Sequence, residues 1–273
     1  MAYAWLDGKL VRADEARVSL FDRGFLQGDG VFETIRIHRG APFRFDAHVA
    51  RLRRSLEILG LTASLSDAEF RQTARSVVEA SGLQEGLVRI TVTAGEEDRG
   101  PSVAVTSRPL PKAPSRARLI VAKSVRRAPG PLSQCKTISR AAESTALREA
   151  QRAGAFDAIL LNPDDRVVES SARNVFAVVE GTIITPPIDE GALPGVTRAA
   201  VLELAAALRI RAEETPLPVE TLMTAEEVFL SGTGVGILPV AQVDGHRYTA
   251  RREALASRLK RKYAQLLDAE SKW

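Results

Sequence analysis

Three prolines, Pro109, Pro111 and Pro114, lie close together and constrain the fold more than any other feature of the sequence. Proline fixes its own φ angle and removes a backbone donor, so a helix or an internal strand does not continue through such a segment. A proline-rich stretch between two regularly patterned regions is typical of a stiff connector. We therefore expect a small N-terminal α+β domain over residues 1–110, a linker over 111–116 and a larger C-terminal domain over 117–273.

The residues before the prolines carry strand and helix patterns in turn. Residues 31–37 predict a strand, and residues 87–94 alternate between apolar and polar side chains, which is also strand spacing. Two helices are expected between them. One covers 46–59, and the other begins at Ser66, where Glu69 three residues later completes a capping-box signature.

The residues after the prolines mix the same two patterns. Strands are expected at 119–122, 158–161 and 228–230, helices at 140–152 and 197–208, and a hairpin turn at Glu180-Gly181. Strict alternation of strand and helix is missing, which favours α+β domains over a doubly wound parallel sheet.

Composition narrows the class of protein. The single cysteine, Cys135, excludes a disulfide within the chain and favours a reducing compartment, so we expect a cytoplasmic protein. The first residues contain no long apolar run, and we expect neither a signal peptide nor a membrane partner. The formal net charge is +4, but the basic residues are mixed with acids and no recognition motif accompanies them. We therefore expect no nucleic-acid partner.

Several kinds of catalytic site are not indicated. The three histidines, His38, His48 and His246, are widely separated, and their spacing is not that of zinc ligands, so we expect no metal. The sequence contains neither a G-x-S-x-G elbow nor a G-x-x-x-x-G-K-[ST] loop. His48 falls on the apolar face of its helix, which favours a packed histidine.

Four short segments suit an anionic ring cofactor, although each alone has an ordinary structural explanation. Residues 191–198 are a loop that leads into a helix, and residues 230–236 are a glycine-rich turn after a strand. Residues 167–171 place a carboxylate at the end of a strand, and residues 135–137 place a lysine before a helix. The helix start could seat a phosphate through its backbone N–H groups.

Together these segments, with Asp22-Arg23-Gly24 and His48-Val49-Ala50-Arg51-Leu52, resemble the class IV, or fold-type IV, enzymes that use pyridoxal 5'-phosphate (PLP). That family includes branched-chain aminotransferases, D-amino-acid aminotransferases and 4-amino-4-deoxychorismate lyases. The resemblance extends from about Arg17 to Val240 and implies a two-domain α+β fold with the cofactor between the domains. It also implies a homodimer.

The resemblance assigns roles to individual residues. Lys136 matches the catalytic lysine that binds PLP covalently, and Glu169 matches the acid that pairs with the pyridine nitrogen. The other expected cofactor-binding residues match the phosphate and ring contacts of the family: Arg51, Asn174, Gly195, Val196, Thr197, Thr233 and Gly234. An amine attacks an aldehyde only in its neutral form, and a protonated ring withdraws electrons from the substrate Cα, so these residue types suit the chemistry.

The expected substrate-binding residues point in two directions. Phe32 and Arg36 resemble branched-chain enzymes, whereas Thr34 and Arg140 resemble the lyases; Arg99 could reach a substrate carboxylate. Ser231-Gly232-Thr233 resembles the aminotransferases. We therefore expect an aminotransferase acting on an amino acid (a branched-chain L- or D-amino acid) and a 2-oxo acid. The alternative is a 4-amino-4-deoxychorismate lyase releasing pyruvate and 4-aminobenzoate, and a more distant one is a non-enzymatic polyanion-binding protein.

Overall fold

The computed structural model describes residues 2–249 and 254–273. They form two compact units. Unit 1 comprises Met1–Pro111, Cys135–Arg140 and Leu267–Trp273, and unit 2 comprises Lys112–Gln134 and Ala141–Leu266. The division expected at the prolines differs from this one in two short segments: it places Cys135–Arg140 and Leu267–Trp273 in the C-terminal domain rather than in unit 1. The eight residues 109–116 are mostly irregular, because only Pro109 belongs to a strand.

Unit 1 is an antiparallel sheet with helices on it. Its strands are β1 (Tyr3–Leu6), β2 (Lys9–Arg12), β3 (Gly30–His38), β4 (Ala41–Pro42), β5 (Gly86–Glu96) and β6 (Gly100–Pro109). Its helices are α1 (Arg23–Gln27), α2 (Phe45–Leu59) and α3 (Asp67–Ala80). The strand order is β2-β1-β6-β5-β3-β4, and every pairing is antiparallel.

Local sequence signals account for these elements. The expected strands and helices of this region are confirmed, and the alternation in β5 buries Val88, Ile90 and Val92 completely. Helix α3 begins with the expected capping box, in which the Ser66 hydroxyl accepts from the Glu69 N–H and the Glu69 carboxylate accepts from the Ser66 N–H. The buried faces of α2 and α3 pack with those of β3, β5 and β6 in one apolar core.

Unit 2 is built on a second, mixed sheet. Its strands are β7 (Ala117–Arg126), β8 (Asp157–Leu161), β9 (Arg166–Ser170), β10 (Asn174–Val179), β11 (Thr182–Thr185), β12 (Ala212–Glu214), β13 (Leu217–Pro218), β14 (Glu227–Gly232), β15 (Gly236–Val243) and β16 (His246–Arg247). Its helices are α4 (Ala141–Arg152), α5 (Val196–Ala207), α6 (Val219–Thr224) and α7 (Leu255–Glu270), the last of which ends in unit 1.

The second sheet closes on itself. The strand order is β12-β11-β10-β14-β15-β7-β8-β9-β13, and β10 also pairs with β9 where Asn174 lies opposite Glu169. Parallel pairs, such as β7 with β8, and antiparallel pairs, such as β8 with β9, coexist. The mixed sheet confirms the expected α+β class.

The expected elements of unit 2 are also confirmed, including the hairpin turn. Glu180 and Gly181 both have positive φ angles, 48° and 72°, as a tight turn between two antiparallel strands requires. No helix among the described residues is both long and apolar enough to cross a membrane.

Candidate active site

Lys136 lies in unit 1 because its segment pairs with the first residues of β3. The Phe32 N–H donates to the Lys136 carbonyl at 2.8 Å, and the Ile138 N–H donates to the Gly30 carbonyl at 3.0 Å. Val31 and Thr137 form the bridge between these bonds. Backbone pairing therefore holds the predicted catalytic lysine beside β3, although Lys136 follows the linker in sequence.

Three cationic side chains surround the Phe32 ring in unit 1. Its centroid lies 4.7 Å from Lys136 Nζ, 5.8 Å from Arg140 Cζ and 3.6 Å from Arg89 Cζ. Cations are attracted to the face of an aromatic ring. Three of the residues named from the sequence as catalytic or substrate-binding (Phe32, Lys136 and Arg140) therefore lie together, and Arg89 joins them.

Glu33, the next residue of β3, holds Arg51 and His48. Arg51 Nε and Nη2 donate to its two carboxylate oxygens at 2.7 and 2.8 Å, and His48 Nδ1 lies 2.7 Å from Oε2. Burial raises the pKa of the Glu33 carboxyl, but Arg51 and His48 more than offset this and hold that pKa well below its usual range. Burial lowers the pKa of His48, opposed in part by Glu33. The predicted phosphate ligand Arg51 is thus oriented by a bidentate ion pair.

The other expected substrate residues of unit 1 lie elsewhere. Thr34 is the half-buried residue of β3 that follows Glu33. Arg36 donates to Glu85 at 2.6 Å, and Arg99 is 79% exposed in the turn between β5 and β6, with Glu96 at 3.4 Å. Both arginines therefore already pair with a carboxylate of unit 1.

Glu169, Asn174 and Ser231 lie side by side in unit 2. The register of the sheet places Asn174 opposite both Glu169 on β9 and Ser231 on β14. Asn174 Nδ2 donates to Glu169 Oε2 at 3.4 Å and to the Leu193 carbonyl at 2.9 Å. Glu169, Asn174 and Ser231 are each at least nine-tenths buried. Strand pairing thus brings together the predicted acid and asparagine.

Helix α5 begins beside this asparagine with an open first turn. Its N-cap is Gly195, which provides no side-chain cap, and Val196 and Thr197 follow it as buried residues. A Cβ atom on Gly195 would lie 2.1 Å from Asn174 Oδ1, so the close approach of loop and strand requires glycine here. The N–H groups of this turn and the positive end of the helix dipole suit a phosphate.

The expected residues Thr233 and Gly234 lie in the turn between β14 and β15, just after Ser231. The Ser231 hydroxyl is buried and, within the part of the chain that is described, has no hydrogen-bond partner. A buried hydroxyl without a partner is costly unless a ligand satisfies it. The uncapped helix, the required glycine and this hydroxyl together fit a phosphate-bearing cofactor.

Sequence reasoning missed three charged residues near these groups. Glu33 could have been found, since it interrupts the otherwise apolar face formed by Val31, Ile35 and Ile37. Arg89 lies on the polar face of β5 and carries no local signal. Arg127 follows β7, and its Nε lies 3.1 Å from Glu169 Oε1. Only the folded sheet brings this arginine to the predicted acid.

Comparisons with known proteins agree with this geometry. The family model "Amino-transferase class IV" matches residues 30–243. A D-alanine aminotransferase of Bacillus licheniformis is 30% identical over 249 residues, which are 88% of this chain and 87% of the relative.

Two solved structures are also similar. A branched-chain aminotransferase from Thermoproteus uzoniensis with norvaline has a TM-score of 0.92 and 31% identity, over 98% of this chain and 96% of that one. The T.th. branched-chain amino acid aminotransferase complexed with N-(5'-phosphopyridoxyl)-L-glutamate has a TM-score of 0.89 and 27% identity, covering 97% of this chain and 93% of that one.

The likeness covers both units and includes a structure with a phosphopyridoxyl group. It does not favour a lyase or a polyanion-binding protein. The chain therefore belongs to the class IV aminotransferase family, and it is a PLP-dependent aminotransferase with the α+β fold of that family.

Proposed function

We propose that this enzyme transfers the amino group of branched-chain L-amino acids to 2-oxoglutarate. The names of the similar structures support the branched-chain substrate. The proposal for an acidic co-substrate rests on one observation in unit 1, which is that the Arg89 side chain has no carboxylate partner among the described residues.

Arg89 is a half-buried cation in need of an anion. It donates to Thr91 Oγ1 at 3.1 Å and stacks on Phe32, and no carboxylate pairs with it among residues 2–249 and 254–273. Burial, together with the nearby positive charges of Arg140 and Arg108, lowers its pKa to about 10. An unpaired buried charge is unfavourable, and a guanidinium binds a carboxylate through two parallel hydrogen bonds. The side-chain carboxylate of glutamate or 2-oxoglutarate would supply that partner.

Roles for the other residues follow from their positions. When bound, PLP supplies the electron sink that stabilises negative charge at the substrate Cα. We assign Lys136 the covalent attachment of PLP and the movement of the proton at Cα, and Glu169 the pairing with the ring nitrogen. Asn174 orients Glu169. The remaining side chains and backbone groups hold the phosphate: Arg51, Gly195, Val196, Thr197, Thr233 and Gly234.

Substrate contacts are assigned to unit 1. Phe32 provides an apolar surface beside Lys136, and Arg89 and Arg140 provide positive charge around its ring. Thr34, Arg36 and Arg99 are proposed as further substrate-binding residues, supported by the family resemblance of their segments.

A stopped-flow absorbance experiment tests the proposed substrates. Purified enzyme saturated with PLP is mixed separately with L-leucine, L-glutamate and D-alanine. We expect L-leucine and L-glutamate each to convert the bound cofactor to its amino form, which removes the visible absorbance band. D-Alanine should leave the band in place. Conversion by D-alanine alone would overturn the proposed handedness, and failure of L-glutamate would overturn the proposed co-substrate.

We also propose a homodimer in the cytoplasm. The cytoplasmic assignment rests on Cys135, which is buried and is the single cysteine of the sequence, so that no disulfide forms within the chain. The dimer is supported by an exposed apolar segment over residues 18–26. It contains five of the seven large hydrophobic side chains that are exposed in the described structure: Val18, Leu20, Phe21, Phe25 and Leu26. A concentration of exposed large apolar side chains in one segment is typical of a protein–protein interface.

A further inference from the structure

Arg127 joins four groups of unit 2 through one guanidinium. Nε donates to the Gly191 carbonyl at 2.8 Å, Nη2 donates to the Ser133 carbonyl at 2.8 Å, and Nη1 donates to Glu143 Oε1 at 2.7 Å. The fourth group is Glu169, whose Oε1 lies 3.1 Å from Nε. The Arg127 side chain is largely buried. Its position is therefore set by two backbone carbonyls and two carboxylates.

The two carboxylates share one positive charge. Glu143 lies at the start of α4 and Glu169 on β9, and both side chains are nearly buried. With Arg127 the group carries one net negative charge. If Glu143 were neutral, the charges of Arg127 and Glu169 would cancel, and little negative electrostatic potential would remain to attract a further cation. Charge interactions between buried groups are weakly screened, so this difference matters at the predicted ring position.

The two carboxylate oxygens of Glu169 differ in their hydrogen bonds, and this difference indicates which oxygen would face a protonated ring nitrogen. Oε2 accepts from the Leu193 N–H at 3.1 Å and from Asn174 Nδ2 at 3.4 Å. Oε1 has Arg127 as an ion-pair partner, but the Arg127 Nε–H group points to the Gly191 carbonyl. Oε1 accepts no hydrogen bond from any described residue. It can therefore accept one from a protonated ring nitrogen.

Glu143 occupies its position without a full set of partners. Its Oε2 is buried and has no hydrogen-bond partner in the described parts of the chain. A half-satisfied buried carboxylate destabilises a fold relative to a neutral side chain of the same shape. Glutamine could accept the same bond from Arg127 without a charge, so this hydrogen bond alone does not require a carboxylate.

We propose that Glu143 is a positioning residue that offsets the charge of Arg127, so that the group of Arg127, Glu143 and Glu169 keeps one net negative charge for the protonated ring nitrogen of PLP. This inference rests on the proposed role of Glu169. Asn174 and the Leu193 N–H hold the Glu169 carboxylate, and Glu143 sets the net charge of the group that faces the ring.

The test is Glu143→Gln, which preserves the shape and removes the charge. Enzyme carrying PLP labelled with ¹⁵N at the ring nitrogen is examined by NMR. We expect the ¹⁵N signal to move towards that of an unprotonated pyridine, and kcat with L-leucine to fall by about tenfold. The matched control is Glu149→Gln, which removes the same charge from a residue of α4 that bonds to Lys123 and Ser124 rather than to Arg127. It should leave both values unchanged.

Two further measurements separate the outcomes. A thermal midpoint of the cofactor-free Glu143→Gln protein equal to or above that of the wild type is expected; a marked fall would mean that Glu143 is structural and would overturn the inference. Glu169→Gln should also shift the ¹⁵N signal. A shift with Glu169→Gln but none with Glu143→Gln would overturn the role of Glu143 alone. No shift with either variant would overturn the proposed role of Glu169 itself.

Discussion

At the scale of single residues, Arg89 offers the sharpest test of substrate choice. Its guanidinium lies 3.6 Å from the centre of the Phe32 ring and has no carboxylate partner within the described chain. Arg89→Met keeps the packing on Phe32 and removes the charge. We expect KM for L-glutamate to rise by about 100-fold, since the charge pair with its side-chain carboxylate is lost, while KM for L-leucine changes little. Steady-state kinetics with each donor measures this.

The control for Arg89 is Arg108→Gln. Arg108 lies near Arg89 and contributes to its lowered pKa, but it is exposed on β6. Its loss should alter KM for either donor by less than about threefold. An equal rise in KM for L-glutamate and L-leucine in Arg89→Met would show that the arginine does not bind the side-chain carboxylate.

Glu33 governs stability at the same scale. It is completely buried between Arg51 and His48, so Glu33→Gln removes a buried ion pair with the Arg51 guanidinium. We expect a loss of about 3–5 kcal/mol in the free energy of unfolding at pH 7. Urea unfolding followed by circular dichroism measures it. Glu85→Gln, at a half-exposed pair with Arg36, should cost less than about 1 kcal/mol.

The same buried cluster determines a pH dependence. The folded Glu33 has a pKa below the ordinary value of 4.5, so its contribution is complete above about pH 4.5 and is lost as the pH falls further. The pKa of His48 is also lowered from 6.5, which decreases stability in acid because only the unfolded chain takes up that proton. The difference in unfolding free energy between wild type and Glu33→Gln should therefore shrink as the pH is lowered from about 5 to about 3. A constant difference would contradict the ionised, buried Glu33.

At the scale of elements, the start of helix α5 is the critical feature. Gly195→Ala would place a Cβ atom against Asn174 Oδ1, so the loop and the first helical turn must shift. We expect the dissociation constant for PLP, measured by fluorescence titration of the cofactor-free protein, to rise by about tenfold or more. Ala206→Gly weakens the same helix near its other end by about 1 kcal/mol and should leave PLP affinity unchanged. Equal effects of the two variants would indicate a loss of helix stability alone.

At the scale of the whole molecule, the exposed apolar segment over residues 18–26 tests the proposed dimer. Phe21 and Phe25 are 74% and 63% exposed. Phe21→Ser with Phe25→Ser should convert the dimer to a monomer in light scattering coupled to size-exclusion chromatography. Leu10→Ser changes an exposed apolar residue outside this segment and should leave the dimer intact. A wild-type protein that is monomeric at micromolar concentration would contradict the proposal.

Local patterns predicted the elements well. The capping box at Ser66, the alternation in β5 and the turn at Glu180-Gly181 all depend on residues a few positions apart, and each was found as expected. The neighbourhood of Lys136 could not be predicted in this way, because it depends on backbone pairing with β3, about one hundred residues earlier in the chain.

The order and type of the motifs were enough to identify the resemblance to the family, and the resemblance implied the cofactor and the general reaction of this protein. Only the tertiary structure decided which charges meet. Glu33 with Arg51, and Arg127 with Glu143 and Glu169, are paired by the register of strands and the docking of helices. Whether a charge is paired or left open depends on distances of a few ångströms between distant segments, and spacing along the chain does not contain them.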